Sequence, residues 1–248
     1  MISPKKILAA MKRMDTIVRQ DIIDRLFWYY FNTKRSEPTF DKTRAAGKRW
    51  TNCMGGIIFA CKLAGIPASA LQWYGAKDKI QWLNDTAKAD AKKHFDIFRI
   101  KRTVKECVEK GILIPADIIT YMDMMHTNAY YGNGKSFDTG HAYCNGSGEG
   151  AKYSKWIGSL AHPNRKIAYI FRLKGNNVYR VQVGSYSQKA NADKRVLQVA
   201  QKSGFGCFIE QTDMYRVYCG SFEQFKMAIN RLNDLNDSGV KQAYICVK

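Results

Sequence analysis

Three side chains in this sequence have the types and the order that thiol chemistry needs. Cys53 opens the run Trp50-Thr51-Asn52-Cys53-Met54-Gly55-Gly56-Ile57-Ile58-Phe59-Ala60-Cys61-Lys62-Leu63-Ala64-Gly65-Ile66-Pro67, which reads as a buried helix. Thr51 or Asn52 serves as its N-cap, and Gly65 followed by Pro67 ends it. A thiol at that end meets backbone N–H groups without helical partners and the positive pole of the helix, so it ionises more readily than a free one. His126 begins a strand, and Asp138 lies on the strand that returns across the turn Gly132-Asn133-Gly134. In this order the Cys53 thiolate attacks a carbonyl, His126 moves the proton, and Asp138 holds the imidazole in the useful tautomer. The backbone N–H of Cys53 is available to the developing oxyanion. His141, in Gly140-His141-Ala142, is the rival base; His126 is preferred because it has the strand-turn-strand partner ahead of it. Without those partners Cys53 would read as a small buried hydrophobe.

The elements that must position these residues follow from periodicity. Apolar residues return every three or four positions from Pro4 to about Tyr30, predicting one or two helices that cap the domain. Asn32 to Arg49 is polar and basic and reads as a loop leading to the cysteine helix, while Lys77 to Lys93 is charged and helix-compatible. A helix from Thr103 to Lys110 stops at Gly111. Strands are expected within Ile112–Tyr121, over His126–Tyr131 and Lys135–Asp138, and finally over Ile167–Leu173. His94 and His162 read as surface residues, and Cys61, Cys107, Cys144, Cys207, Cys219 and Cys246 as packing residues.

A cysteine opening a glycine-containing buried helix, an Asp-Ile-Ile-Thr-Tyr strand, and a histidine separated by five residues from Gly-Asn-Gly together resemble the NlpC-type cell-wall peptidases and the related cysteine, histidine-dependent amidohydrolases. The resemblance spans roughly Pro38 to Leu173. It implies a papain-like α+β fold that cleaves amide bonds in peptidoglycan, with Cys53, His126 and Asp138 on the nucleophile, base and third polar positions. Asn52 and Met54 replace the Asp and Ser that commonly flank such a cysteine, and Ala116 stands where Gly is usual. Phe40, near the position of a tyrosine that often assists the oxyanion, has no donor, so that role is not carried over. Trp50 and Asn52 are expected to line the substrate groove.

Past a polar hinge at Lys174-Gly175-Asn176-Asn177 the sequence repeats itself. Tyr179-Arg180-Val181-Gln182-Val183-Gly184-Ser185-Tyr186 returns as Tyr215-Arg216-Val217-Tyr218-Cys219-Gly220-Ser221-Phe222, offset by 36 residues. Each copy reads as a strand, a helix and a closing strand, giving a small βαββαβ unit with helices on one sheet face. The repeat resembles the sporulation-related repeat (SPOR) domain, which implies binding to peptidoglycan glycan strands. If Val181, Val183 and Val217 face the helices, alternation turns Arg180, Gln182, Arg216 and Tyr218 to the open face, where they could hold glycan.

The expected organisation is therefore a catalytic domain over 1–174 and a wall-binding domain over 175–248. The formal charge of +19, spread along the chain, describes a basic surface that seeks a polyanion, and the 12% aromatic content excludes a disordered chain. The expected partners are bacterial peptidoglycan and anionic wall polymers, with no nucleic acid, no membrane insertion, no cofactor and no metal. Seven cysteines without paired short spacings suggest reduced thiols rather than a disulfide framework. Lys12 and Arg13 interrupt the apolar run after Lys6 too early for an export signal, so the chain is expected to be made in the cytoplasm. Together these readings describe an endolysin of phage or prophage type: a muramoyl-alanine amidase or stem-peptide endopeptidase acting at the wall after release. The alternatives are a non-catalytic wall- or nucleic-acid-binding protein with a structural Cys53, and an acyltransferase on the same triad.

Overall fold

The stripe of Ile7, Met11 and Met14 makes one side of helix α1 (Pro4–Ile23), and all three side chains are fully buried. Pro4 occupies the first helical position, where its missing N–H costs nothing, and the Ser3 hydroxyl accepts from the Lys6 N–H at 3.4 Å. The structure is a computed structural model. It describes residues 2–23, 27–29, 43–44, 48–51, 53–76, 78–140, 143–145, 152–153, 155–175 and 177–248. Two compact units result: Met1–Lys105 with Ile114–Lys174, and Glu106–Leu113 with Gly175–Lys248.

In the first unit the cysteine helix, α2 (Cys53–Leu63), starts at Cys53, and Gly65 takes the left-handed conformation that ends it (φ 92°). Its residues Met54 to Cys61 are buried on every side. Helix α3 (Asp85–His94) is capped by Asn84, whose side chain accepts from the Ala87 N–H at 2.7 Å. Strands β1 (Phe95–Arg99), β2 (Ile118–Tyr121), β3 (Thr127–Gly132), β4 (Lys135–Phe137), β5 (Ile157–Ser159) and β6 (Ile167–Leu173) form one sheet. Its order is β5-β4-β3-β2-β6-β1, antiparallel throughout. Helix α2 packs against β3.

Two expectations are corrected here. The stretch Lys77 to Lys93, read as charged and helix-compatible, opens with a strand, Lys79–Trp82, that pairs back on Trp73–Ala76 as a hairpin before α3 begins. Its aromatic residues decide the matter: Trp73 stacks on Phe171 at 4.4 Å and meets Trp82 edge-on at 5.8 Å, burial that outweighs the helix propensity of the lysines. Strand β1 was not foreseen at all, and the long strand expected before Tyr121 shrinks to β2 because Ala116 adopts a left-handed conformation (φ 76°).

The second unit has the βαββαβ order that the repeat implies: β7 (Tyr179–Tyr186), α4 (Lys189–Ser203), β8 (Phe208–Gln211), β9 (Tyr215–Phe222), α5 (Phe225–Asp237) and β10 (Tyr244–Val247). The strands lie in the order β8-β9-β7-β10, all antiparallel. Val181, Val183 and Val217 are buried, as are Ala192 and Val199 of α4 and Ala228, Leu232 and Leu235 of α5. Cys207 and Cys219 form a disulfide across β8 and β9, correcting the expectation of reduced thiols throughout. The pairing of Phe208 with Tyr218 sets these two cysteines opposite each other, a proximity created by register and invisible in their spacing. Cys53, Cys61, Cys107 and Cys246 form no disulfide among the described residues.

Under the first sheet, Arg172 of β6 and Asp117 form a fully buried ion pair, with Nε donating to Oδ1 at 2.9 Å. Burial raises the Asp117 carboxyl above its ordinary range, and Arg172 only partly offsets this. The pair is thus costly to assemble, yet removing one member strands a buried charge. Asp117→Ala should destabilise the chain by about 3–5 kcal/mol in urea unfolding. The double replacement Asp117→Leu with Arg172→Met should cost much less; equal losses would refute this account of the pair.

Candidate functional site

The β3–β4 hairpin sets the geometry. Asn133 and Gly134 take left-handed conformations (φ 51° and 66°) and close the turn. Ala129 then pairs with Phe137, and one further step in the same register lays Asn128 beside Asp138; its side-chain N–H donates to Asp138 Oδ2 at 3.1 Å. Two steps beyond, Gly140 lies against His126. A Cβ on Gly140 would sit 2.2 Å from His126 Cε1, so this close approach requires glycine.

Asp138 is fully buried and Oδ2 accepts from His126 Nε2 at 2.8 Å, while Oδ1 accepts from the Gly140 N–H at 2.7 Å. Burial opposes its charge, but His126, Asn128 and Gly140 overcome that and hold the carboxyl below its usual range. His126 is pulled the other way. Burial disfavours the imidazolium, yet Asp138 and Cys53 more than compensate and raise it to about 10. Its Nε2 edge belongs to Asp138, which leaves Nδ1 for the thiol.

Cys53 is half-buried at the first position of α2. Burial resists its ionisation, but the hydrogen bond and charge of His126, assisted by the Thr127 backbone N–H, lower the thiol below its ordinary value. Thr139 fastens the helix to the hairpin: its hydroxyl donates to the Cys53 carbonyl at 3.2 Å. Gly56, one turn on, leaves room for it, since a Cβ there would meet the Thr139 side chain at 2.4 Å. The arrangement can hold a thiolate–imidazolium pair beside the first-turn N–H groups of a helix, which suits attack on a carbonyl.

The structure thus brings Cys53, His126 and Asp138 together. Asn52 and the rival base His141 lie outside the described residues, as does the Trp50 side chain. His162, read from sequence as a surface residue, instead sits at this site. Its Nε2 lies 3.6 Å from Asp138 Oδ2, and its ring meets His126 edge-on at 5.1 Å. Burial depresses its pKa first, and the charges of His126 and Arg165 add to this despite Asp138. Tyr121 lies nearly parallel to the His126 ring and edge-on to that of His162, and its hydroxyl accepts from Asn128 at 2.8 Å. His162, Asn128 and Tyr121 carried no spacing signal; only Asn128 was recoverable, by extending the hairpin register.

The second unit has its own candidate surface, the sheet face away from α4 and α5. Arg180, Gln182, Arg216 and Tyr218 share that face, but it is less open than alternation implied. Gln182 and Tyr218 are buried (6% and 4% exposed), which corrects the expectation that they lie free. Arg180 pairs with Glu210 at 2.7 Å and lies over the Phe208 and Tyr218 rings at 5.5 and 5.1 Å. Lys248 also pairs with Glu210, and Arg216 with Asp213 at 2.8 Å. Phe208 and Tyr244 remain exposed at the rim.

No curated protein matches the chain. A similar solved structure is the peptidoglycan binding domain of the B. subtilis cell wall lytic enzyme CwlC, 26% identical over 30% of this chain and 94% of that one, with a TM-score of 0.27. The SPOR domain family model matches residues 160–211 and 175–245, so the C-terminal part of this chain is similar to SPOR domains.

Proposed function

We propose that this chain is a peptidoglycan hydrolase in which a papain-like thiol unit cuts an amide bond and the SPOR domain holds the polymer. The observation that carries the catalytic half is the continuous contact from Cys53 through His126 to the buried Asp138. The SPOR match supports peptidoglycan as the polymer, in line with the binding that the resemblance of the repeat implies. Either a muramoyl-alanine amidase or a stem-peptide endopeptidase fits the site, and an endolysin fits the combination.

In the proposed reaction the Cys53 thiolate attacks the amide carbon, and the oxyanion develops beside the N-terminal N–H groups of α2. The His126 imidazolium gives its Nδ1 proton to the departing amine, leaving a thioester. His126, now neutral, takes a proton from water as the water attacks that thioester, and keeps it while Cys53 departs as the thiolate, which restores the starting pair. Asp138 holds the ring through both steps by its bond to Nε2.

Cys53→Ala should cut the release of amines and peptides from purified walls by roughly 10⁴-fold or more while wall binding persists. Retained hydrolysis would end the proposal, and mass spectrometry of the wild-type products identifies the bond. The active form needs a thiolate and a protonated His126. Activity should therefore rise with pH through the lowered pKa of Cys53, then fall as His126 loses its proton near pH 10. Asp138→Asn removes the charge that raises His126, so the alkaline limb should move to lower pH; a limb that stays in place would assign it to another group. Gly140→Ala displaces the His126 ring and should slow alkylation of Cys53 by iodoacetamide and wall hydrolysis together, by about 10²-fold. Unchanged alkylation in a folded variant would show that the ring does not control the thiol.

A further inference from the structure

Asp138 faces two imidazoles, and the catalytic reading uses only one of them. His162 Nε2 is itself enclosed, accepts or donates no hydrogen bond among the described residues, and points at the same Oδ2 that His126 engages. The donor atoms of His126, Asp138 and His162 all lie within 4.8 Å of one another. From Asp138 Oδ2 the two Nε2 atoms are 2.8 and 3.6 Å away. A tetrahedral ion with bonds of about 2.0–2.1 Å holds its donors about 3.3 Å apart, so small ring movements convert this triangle into three of its four corners.

The donor set and its surroundings select the ion. Two imidazoles and one carboxylate suit zinc and its neighbours in the first transition row, whereas calcium and magnesium want oxygen. Asn128 supports the carboxylate at 3.1 Å and Tyr121 packs against both rings, so the donors are already oriented. His162 is 29% exposed along its side chain, which leaves a route for the ion and a position for water.

We propose that His126, Asp138 and His162 form a binding site for a zinc-class divalent ion, and that occupancy switches the Cys53 site off. The ion replaces the proton on His126 Nε2 and draws that edge away from Asp138. The ring then carries its one remaining proton at Nδ1. A metal-bound neutral imidazole surrenders that proton far less readily than an imidazolium does, so the departing amine goes unprotonated. Cys53, on the Nδ1 side of the ring, is not a ligand. The inhibitory half of this proposal rests on the hydrolase reading above; the binding half does not.

The test uses the full-length chain, freed of metal by a chelator that is then removed. Zinc chloride is titrated calorimetrically, and wall hydrolysis is followed in parallel with and without zinc. One equivalent should bind, and His162→Ala and His162→Gln should each weaken binding at least tenfold. Zinc should suppress wild-type hydrolysis, and in both variants the ratio of rates with and without zinc should approach one. Cobalt chloride should give tetrahedral d–d absorption without a thiolate charge-transfer band. Undiminished zinc affinity in both variants, a thiolate band, or no saturable binding would overturn the site. A metal-free wild type that hydrolyses no wall at all would defeat the hydrolase reading, while calorimetry and cobalt absorption still decide the metal site.

Discussion

The first unit depends on one buried carboxylate. Asp138 has no access to water, so its charge survives only because His126, Asn128 and the Gly140 N–H all donate to it. Each donor is delivered by the hairpin register rather than by a flexible loop. The sequence of dependence is strict: the turn fixes the register, the register fixes Asp138 against Asn128, and Asp138 fixes the His126 ring. The state of the Cys53 thiol comes last, since burial alone would keep it protonated. Cys61 shows the contrast: on the same helix but without an imidazole, it is pushed up to about 12 by burial.

Three consecutive residues carry most of this organisation. Asp138 orients the imidazole, Thr139 ties the hairpin to the first residue of α2, and Gly140 makes space for the ring. Gly56 completes the joint from the helix side. A helix N-terminus is a favourable place for a thiolate only if the base stands at a fixed distance, and this joint supplies that distance. A side chain at Gly56 would push the helix away from the hairpin, and one at Gly140 would press directly on the His126 ring.

Local signals made much of this readable in advance. The start and stop of α2, the Gly132–Gly134 turn and the strand Ile167–Leu173 each announce themselves through glycine, proline or β-branched composition, and they place Cys53, His126 and Asp138. The repeat at Tyr179 and Tyr215 made the second unit's element order legible as well. What escaped was set by packing between segments distant in sequence. His162 reaches the site from the chain between β5 and β6, and nothing in Ala161-His162-Pro163 marks it. The hairpin at Trp73 forms because Phe171, far along the chain, offers a ring to stack on. Cys207 and Cys219 became a pair only once β8 and β9 were in register.

The second sheet shows why side-chain alternation gives the face but not its accessibility. Period two puts Arg180, Gln182, Arg216 and Tyr218 opposite the helices, yet Glu210 and Phe208 on the neighbouring strand close over part of that face. The cations there are committed: Arg180 and Lys248 to Glu210, and Arg216 to Asp213. Beside these paired cations the face also exposes aromatic rings, Phe208 and Tyr244 at 40% and 36%. Ring faces flanked by fixed hydrogen-bonding groups suit stacking against sugars better than attraction to a polyanion. Most of the chain's large positive charge lies on lysines and arginines outside these pairs, and salt, which screens dispersed exposed charge, has little hold on stacked rings. Long-range attraction to a polyanion and stacking on these rings are therefore separable in physical origin.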